Sequence, residues 1–145
     1  MKILIIGANG RTGQLVTELA IKRGHEVTAF VRGASTQVEG VKYIYGDAEN
    51  FEDIFKSVHN KDVVISVIGH VKHSDKLIQT NAMKNIVKAL KDSTTKVISL
   101  TGTGVRVEGD IITFMDRILN LAVNIIDHKR VIDGVKHYET LRDSK

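Results

Sequence analysis

The chain opens Met1-Lys-Ile-Leu-Ile-Ile-Gly-Ala-Asn-Gly-Arg-Thr-Gly13, an apolar run that meets glycines at positions 7, 10 and 13 and then turns amphipathic. Ile3 to Ile6 carry the branched bulk of a strand buried on both faces, as in a parallel sheet. The three glycines divide the work that follows. Gly7 permits a tight exit from the strand, Gly10 lets backbone N–H groups approach a pyrophosphate, and Gly13 lets the new helix lie against the sheet. An anion on that helix N-terminus faces unpaired N–H groups and the positive end of the macrodipole. These residues therefore predict strand, turn and helix with a dinucleotide phosphate between them.

The rest of the chain repeats the alternation. Leu15, Val16, Leu19, Ala20 and Ile21 recur at helical spacing up to Arg23-Gly24, where basic charge and a glycine end the helix. Glu26 to Val31 reads as a second strand, which completes a right-handed βαβ unit with parallel strands. Val41 to Tyr45 is a third strand, Asn50 to Val58 a helix with Phe51, Ile54, Phe55 and Val58 on one face, and Asp62 to Ile68 a fourth strand. Ser74 or Asp75 is placed to cap a long helix through Leu90, and Lys96 to Leu100 is a fifth strand before Thr101-Gly102-Thr103-Gly104. The expected fold is α/β: a doubly wound, Rossmann-type parallel sheet in the order 3-2-1-4-5, three layers α/β/α, one domain over residues 1–145. Ligand belongs at the carboxyl ends of strands one and four, where loops carrying Gly7 to Gly13, Arg32, Gly46-Asp47-Ala48, Gly69-His70 and Thr101-Gly102 converge.

Composition narrows the functional classes. At 42% hydrophobic and 26% charged residues the chain is an ordinary globular one. It contains no cysteine, which excludes disulfides, thiolate metal sites and a cysteine nucleophile. No apolar run approaches the roughly 20 residues of a spanning helix, and the glycine motif starts too near Met1 for a leader, so a cytoplasmic location without membrane attachment is expected. The net charge of +4 suits an anionic partner such as a phosphate-rich cofactor. Specific nucleic-acid binding is not expected, because the lysines are scattered, aromatics are only 5%, and no recognition motif appears.

Independently of any family, the end of strand two distinguishes the two dinucleotides, since NAD calls for a carboxylate on its ribose 2′-OH. Arg32 stands there instead, with no acid between Ala29 and Gln37. Arg32, with Arg11, is suited to a 2′-phosphate through charge-assisted hydrogen bonds, so NADP(H) is expected over NAD(H).

Taken together, Gly7-Ala-Asn-Gly-Arg-Thr-Gly13, Val31-Arg32, Gly46-Asp47, Val67-Ile68-Gly69 and Asn81 resemble the atypical short-chain dehydrogenase/reductases of the NmrA-like, NAD(P)H-binding type. The first hundred or so positions carry the likeness. It implies that Ala8, Asn9, Arg11 and Thr12 line the pyrophosphate and adenosine phosphates, that Asp47-Ala48 meets the adenine, and that Val67-Ile68-Gly69 runs under the nicotinamide ribose. The YxxxK acid/base motif of better-known relatives is absent, because Tyr138-Glu-Thr-Leu-Arg142 has arginine in the lysine place and lies too late. Tyr43 and Tyr45 belong to strand three. Thr101 stands where such enzymes often have a carbonyl-polarising serine and is the first choice for a catalytic hydroxyl; capping the strand-five loop is the alternative. The family's chain continues into a further strand and a small substrate lobe, whereas this one stops at Asp143-Ser-Lys145, so either it is a truncated or degenerate member or a partner supplies that wall.

Other candidates remain. His70 is placed to touch nicotinamide or substrate, and its i, i+3 spacing with His73 suits a metal only if a third ligand joins them, so no metal site is expected. Asp127-His128-Lys129 resembles an active-site segment of some flavin-reductase-like members, or is a solvated helical turn. His25, His59 and His137 read as surface residues. Residues 111–126, Ile-Ile-Thr-Phe-Met-Asp-Arg-Ile-Leu-Asn-Leu-Ala-Val-Asn-Ile-Ile, spread apolar side chains round most of a helical wheel, which predicts cover on nearly all sides and hence a homodimer through this helix, with monomer core packing as the alternative.

Two functions fit. One is an NADPH-dependent oxidoreductase delivering hydride to a small planar acceptor such as a flavin, quinone or related carbonyl, which needs little proton donation from the protein. The other is a non-catalytic NADP(H)-sensing regulator of the NmrA type. A sugar-nucleotide epimerase or dehydratase would need the absent tyrosine and lysine.

Overall fold

The computed structural model describes residues 1–33, 37–71, 74–102, 105, 107 and 109–144. Its elements are β1 (Lys2–Ile6), α1 (Arg11–Lys22), β2 (Glu26–Val31), β3 (Val41–Tyr45), α2 (Phe51–Val58), β4 (Val63–Ser66), α3 (Ile78–Ala89), β5 (Lys96–Ser99) and α4 (Phe114–Arg142). The strands pair in parallel in the order β3-β2-β1-β4-β5, as the alternation of the sequence predicts. Ile6 lies opposite Phe30 and Ser66, Val31 opposite Tyr45, and Ser66 opposite Ser99, so the carboxyl ends share one edge.

Strand alternation assigns the two faces. Ile3, Ile5, Val27, Ala29, Val31 and Val63 pack with Ala20 of α1, while Leu4, Ile6, Phe30 and Val64 pack with Ile54 and Val58 of α2 and Ala82, Met83 and Ile86 of α3. At about 25 cal/mol per Å² of apolar area removed from water, these β1 and β2 positions, buried between the two helical layers, each stabilise the fold.

Four elements differ from the sequence reading, each for a local reason. In α1 the buried stripe is Gly13, Thr17 and Ala20, while Leu15 is 67% exposed and Leu19 48%. Gly13 must face the sheet, and helical period then carries the leucines to the other side. The fourth strand ends at Ser66, not Ile68, because the chain leaves the ladder to form the wall of a cleft. α3 begins at Ile78 rather than after Ser74 or Asp75; Asp75 instead accepts from the Leu77 N–H at 2.7 Å, forming a turn before the helix. α4 extends the expected helix of residues 111–126 into one that starts after Thr113, where a reciprocal capping box with Asp116 fixes its entry, and bends at Asp127 (φ −143°, ψ 50°).

The two halves of α4 differ in environment. Beyond the bend, Val131, Asp133, Gly134 and His137 are buried, and this half carries the helix's packing against α3. Before it, Phe114, Met115, Leu121, Ile125 and Ile126 are exposed, Ile126 to 82%. Ile98 of β5 and the following Leu100 are also more than half exposed. Asp127-His128-Lys129 is the bend itself, where Arg130 Nε pairs with Asp127 at 3.0 Å. No helix among the described residues is long and apolar enough to cross a membrane.

Candidate functional site

The glycine loop is built by close approach. Gly7 adopts φ +89°, a left-handed conformation that glycine takes without the steric penalty of a side chain, and its N–H donates to the Phe30 carbonyl at 3.2 Å. The Gly10 N–H then donates to the Gly7 carbonyl at 3.0 Å. A Cβ on Gly13 would lie 2.2 Å from that same carbonyl oxygen and 2.7 Å from Ala8 Cα, so α1 approaches the turn more closely than any side chain allows. No side chain caps α1 at Gly10 and no acid sits in its first turn. This end of the helix therefore offers N–H groups and a positive dipole end without a competing carboxylate.

Across the carboxyl edge lies an open cleft of about 330 Å³. Nine of the sequence-selected residues line it: Gly7, Asn9, Gly10, Arg32, Asp47, Ala48, Val67, Ile68 and Gly69. Ile6, Phe30, Val31, Gly33, Val71 and Ile78 complete its walls. Gly13 is buried beneath the loop, Ala8 is buried on its α1 side, and Arg11 and Thr12 are exposed in the first turn of α1. The floor is apolar and the rim carries Arg32 and Asp47 on the loops that follow the adjacent strands β2 and β3, the pattern of a nucleotide cleft.

The Asp47 end is tied down from two helices. Asp53 of α2 accepts from the Asp47 N–H at 2.9 Å, and Asn85 of α3 donates to the Ala48 carbonyl at 3.0 Å. Asn81, picked out by resemblance, donates to Glu49 at 2.8 Å. Asp47 also accepts from the Glu49 N–H at 3.0 Å, which closes the loop on itself.

The two catalytic candidates lie outside the cleft lining. The hydroxyl of Thr101 is buried without a hydrogen-bond partner among the described residues, and a Cβ built on Gly134 of α4 would come within 2.9 Å of it. His70 turns its side chain toward α4: Nε2 lies 2.8 Å from Asp133 Oδ2, at ion-pair distance but off the direction of a hydrogen bond. His73, Thr103, Gly104 and Lys145 fall outside the described residues. Among the described residues no cluster of three or more acidic or histidine side chains is placed to hold a metal. Tyr138 and Arg142 stack at the far end of α4, 5.8 Å from ring centroid to guanidinium, with Arg142 bound to Asp143.

His137 is a correction. Its position in the sequence suggests a surface residue, yet it is buried between α4 and β5, with Nε2 2.7 Å from the Ser99 hydroxyl and Nδ1 without a partner among the described residues. Burial holds its pKa below the ordinary 6.5, and the Asp133 charge only partly opposes this. The unfolded imidazole takes a proton near 6.5 while the folded one resists until lower pH, so stability is complete above 6.5 and is lost as pH falls from there. Urea midpoints should decline as pH falls below about 6.5, and His137→Gln should flatten that decline. A midpoint slope unchanged by the substitution would assign the acid sensitivity elsewhere.

Similarity to known proteins agrees with this geometry. The model of the NAD(P)H-binding family matches residues 7–140. An isoflavone reductase homolog of Nicotiana tabacum is 32% identical, over 63% of this chain and 31% of the relative, and eugenol synthase 2 of Clarkia breweri is 33% identical over the same shares. The chain thus spans about a third of the length of the curated relatives it matches. Among solved structures, a candidate NADH-flavin reductase from Streptococcus pneumoniae superposes with a TM-score of 0.76 at 24% identity, covering 100% of this chain and 67% of that one. An anaerobillin reductase of Escherichia coli O157:H7 superposes with a TM-score of 0.76 at 18% identity, covering 98% and 67%. With the cleft, the glycine turn and the family match in register, this chain belongs to the NAD(P)H-binding family, as its likeness to the atypical short-chain dehydrogenase/reductases implied.

Proposed function

We propose that this chain is an NADPH-dependent reductase that passes hydride to a small planar acceptor, a flavin, quinone or related conjugated carbonyl. The observation that carries the reading is the cleft itself: an uncapped helix N-terminus at Gly10, an apolar floor and Arg32 on the rim, with no tyrosine or lysine among the described lining residues. The cofactor supplies the hydride when bound, and these residues bind it, orient it and exclude water from it. An acceptor reduced without a strong proton donor matches a wall made of Val67, Ile68, Gly69, Val71 and Ile78. That two neighbours in fold are a candidate NADH-flavin reductase and an anaerobillin reductase supports the acceptor class. Thr101 and His70, which line no part of the cleft, enter this reading as supporting residues.

The test is to follow nicotinamide absorbance while the protein meets NADPH and a panel of flavins and quinones. Turnover with at least one acceptor is expected. NADPH binding with no turnover for any of them would move the chain to a regulator that senses cofactor. The proposal extends to assembly: the same chain leaves both the apolar half of α4 and Ile98 and Leu100 uncovered, so a second copy offers each face a partner. Light scattering should return a dimer mass, and a monomer at micromolar concentration would remove this part.

A further inference from the structure

Asp133 is fully buried in α4, where a carboxylate is costly unless its oxygens are engaged. It accepts from the backbone N–H groups of Gln79 at 3.0 Å and Thr80 at 2.9 Å, and from the Thr80 hydroxyl. These are the first-turn donors of α3, whose own N-cap, Leu77, has no side chain to serve them. A residue on another helix therefore caps α3. From the same carboxylate two connections reach the cleft wall. Gln79, seated by Asp133, donates through Nε2 to the Ile68 carbonyl at 2.7 Å, and His70 faces Asp133 Oδ2 at 2.8 Å. Gly69, between Ile68 and His70, lines the cleft. That wall has little slack on its other side, because a Cβ on Gly7 would meet the Val67 carbonyl at 3.1 Å.

We propose that Asp133 is a positioning residue for the cofactor: through Gln79 and His70 it holds the loop of residues 67–70 at the distance from Gly7 that the nicotinamide half of the dinucleotide requires. His70, on this account, acts through the loop and not on the reacting atoms. The inference rests on the reading of the cleft as a nicotinamide cofactor site. The adenosine half depends on other ties, Asp53 to Asp47 and Asn85 to Ala48, which Asp133 does not touch.

The two halves can be measured separately by calorimetry, with the dinucleotide that the wild-type chain binds more tightly set against ADP, the adenosine and pyrophosphate fragment without the nicotinamide ribose, 2′-phosphorylated where that dinucleotide is NADPH. Asp133→Asn and His70→Leu should each weaken the dinucleotide about tenfold, since one displaced wall forfeits roughly one good polar contact. The fragment's affinity should stay unchanged in both. His70→Gln, whose carboxamide donates to the same carboxylate, should recover the wild-type value, and amide exchange at residues 67–70 should quicken in the weakened variants alone. If Asp133→Asn does not fold, the His70 pair carries the test. Equal loss for dinucleotide and fragment, or loss for neither, overturns the inference. A wild-type chain that binds neither ligand overturns the cofactor reading itself, a result distinct from one in which only the discrimination between halves is missing.

Discussion

Gly13→Val should abolish dinucleotide binding and lower the unfolding free energy by roughly 3 kcal/mol, the upper range for forcing extra volume into a packed site. The reason is the kind of atom the new side chain would meet. A Cβ at position 13 lies 2.2 Å from the Gly7 carbonyl oxygen, 2.7 Å from Ala8 Cα and 2.8 Å from Ala8 C, all backbone. A side-chain tip could rotate away, but these atoms move only if the turn or the helix moves. The turn holds Gly7 at φ +89° with its N–H on Phe30, so displacement spreads directly into the cleft floor. Gly24→Ala is the matched control. Its Cβ would meet nothing within 4 Å, and the cost of its φ of +74° is the ordinary left-handed penalty of about 1 kcal/mol. Urea midpoints and NADPH titration of both variants check the contrast: binding lost for Gly13→Val and kept for Gly24→Ala. Full binding by the valine variant would mean that the helix N-terminus is not the phosphate site.

Residues 1–13 and the later β/α alternation made the sheet order legible because each signal is local: strand bulk, glycine, then helical period. The same locality exposed nine of the cleft residues, since parallel strands deliver their following loops to a single edge. What sequence did not disclose is contact across long separations. Asp133 caps Gln79 and Thr80 from more than 50 positions away, and nothing between Ile132 and Gly134 signals it. The start of α3 lies beyond local rules for the same reason, because they look for a cap at Ser74 or Asp75 when the acceptor stands on α4. Leu15 and Leu19 misled in the opposite sense, as apolar residues whose exposure is dictated by the close packing of Gly13. His137 seemed partnerless until β5 brought Ser99 to it.

Arg32→Glu should reverse the choice of cofactor, weakening NADPH about a hundredfold while leaving NADH unchanged or improved. Arg32 lines the cleft beside Gly33 at the end of β2, the position that faces the adenosine ribose when the pyrophosphate lies on α1. A guanidinium forked onto a 2′-phosphate contributes roughly 1.5–3 kcal/mol, or about ten- to hundredfold in affinity, and a carboxylate in its place adds repulsion against the dianion. Toward NADH the same carboxylate accepts from the ribose 2′-OH, which is why that affinity should not fall. Because Arg32 is exposed, the preference of the unmodified chain should shrink as salt rises, with screening over about 8 Å at physiological ionic strength. Calorimetric titration of both nucleotides into both proteins decides the matter. Parallel loss of NADPH and NADH would assign Arg32 to the pyrophosphate or adenine that the two share, and an Arg32→Glu chain still preferring NADPH would transfer the 2′-phosphate to Arg11 in the first turn of α1.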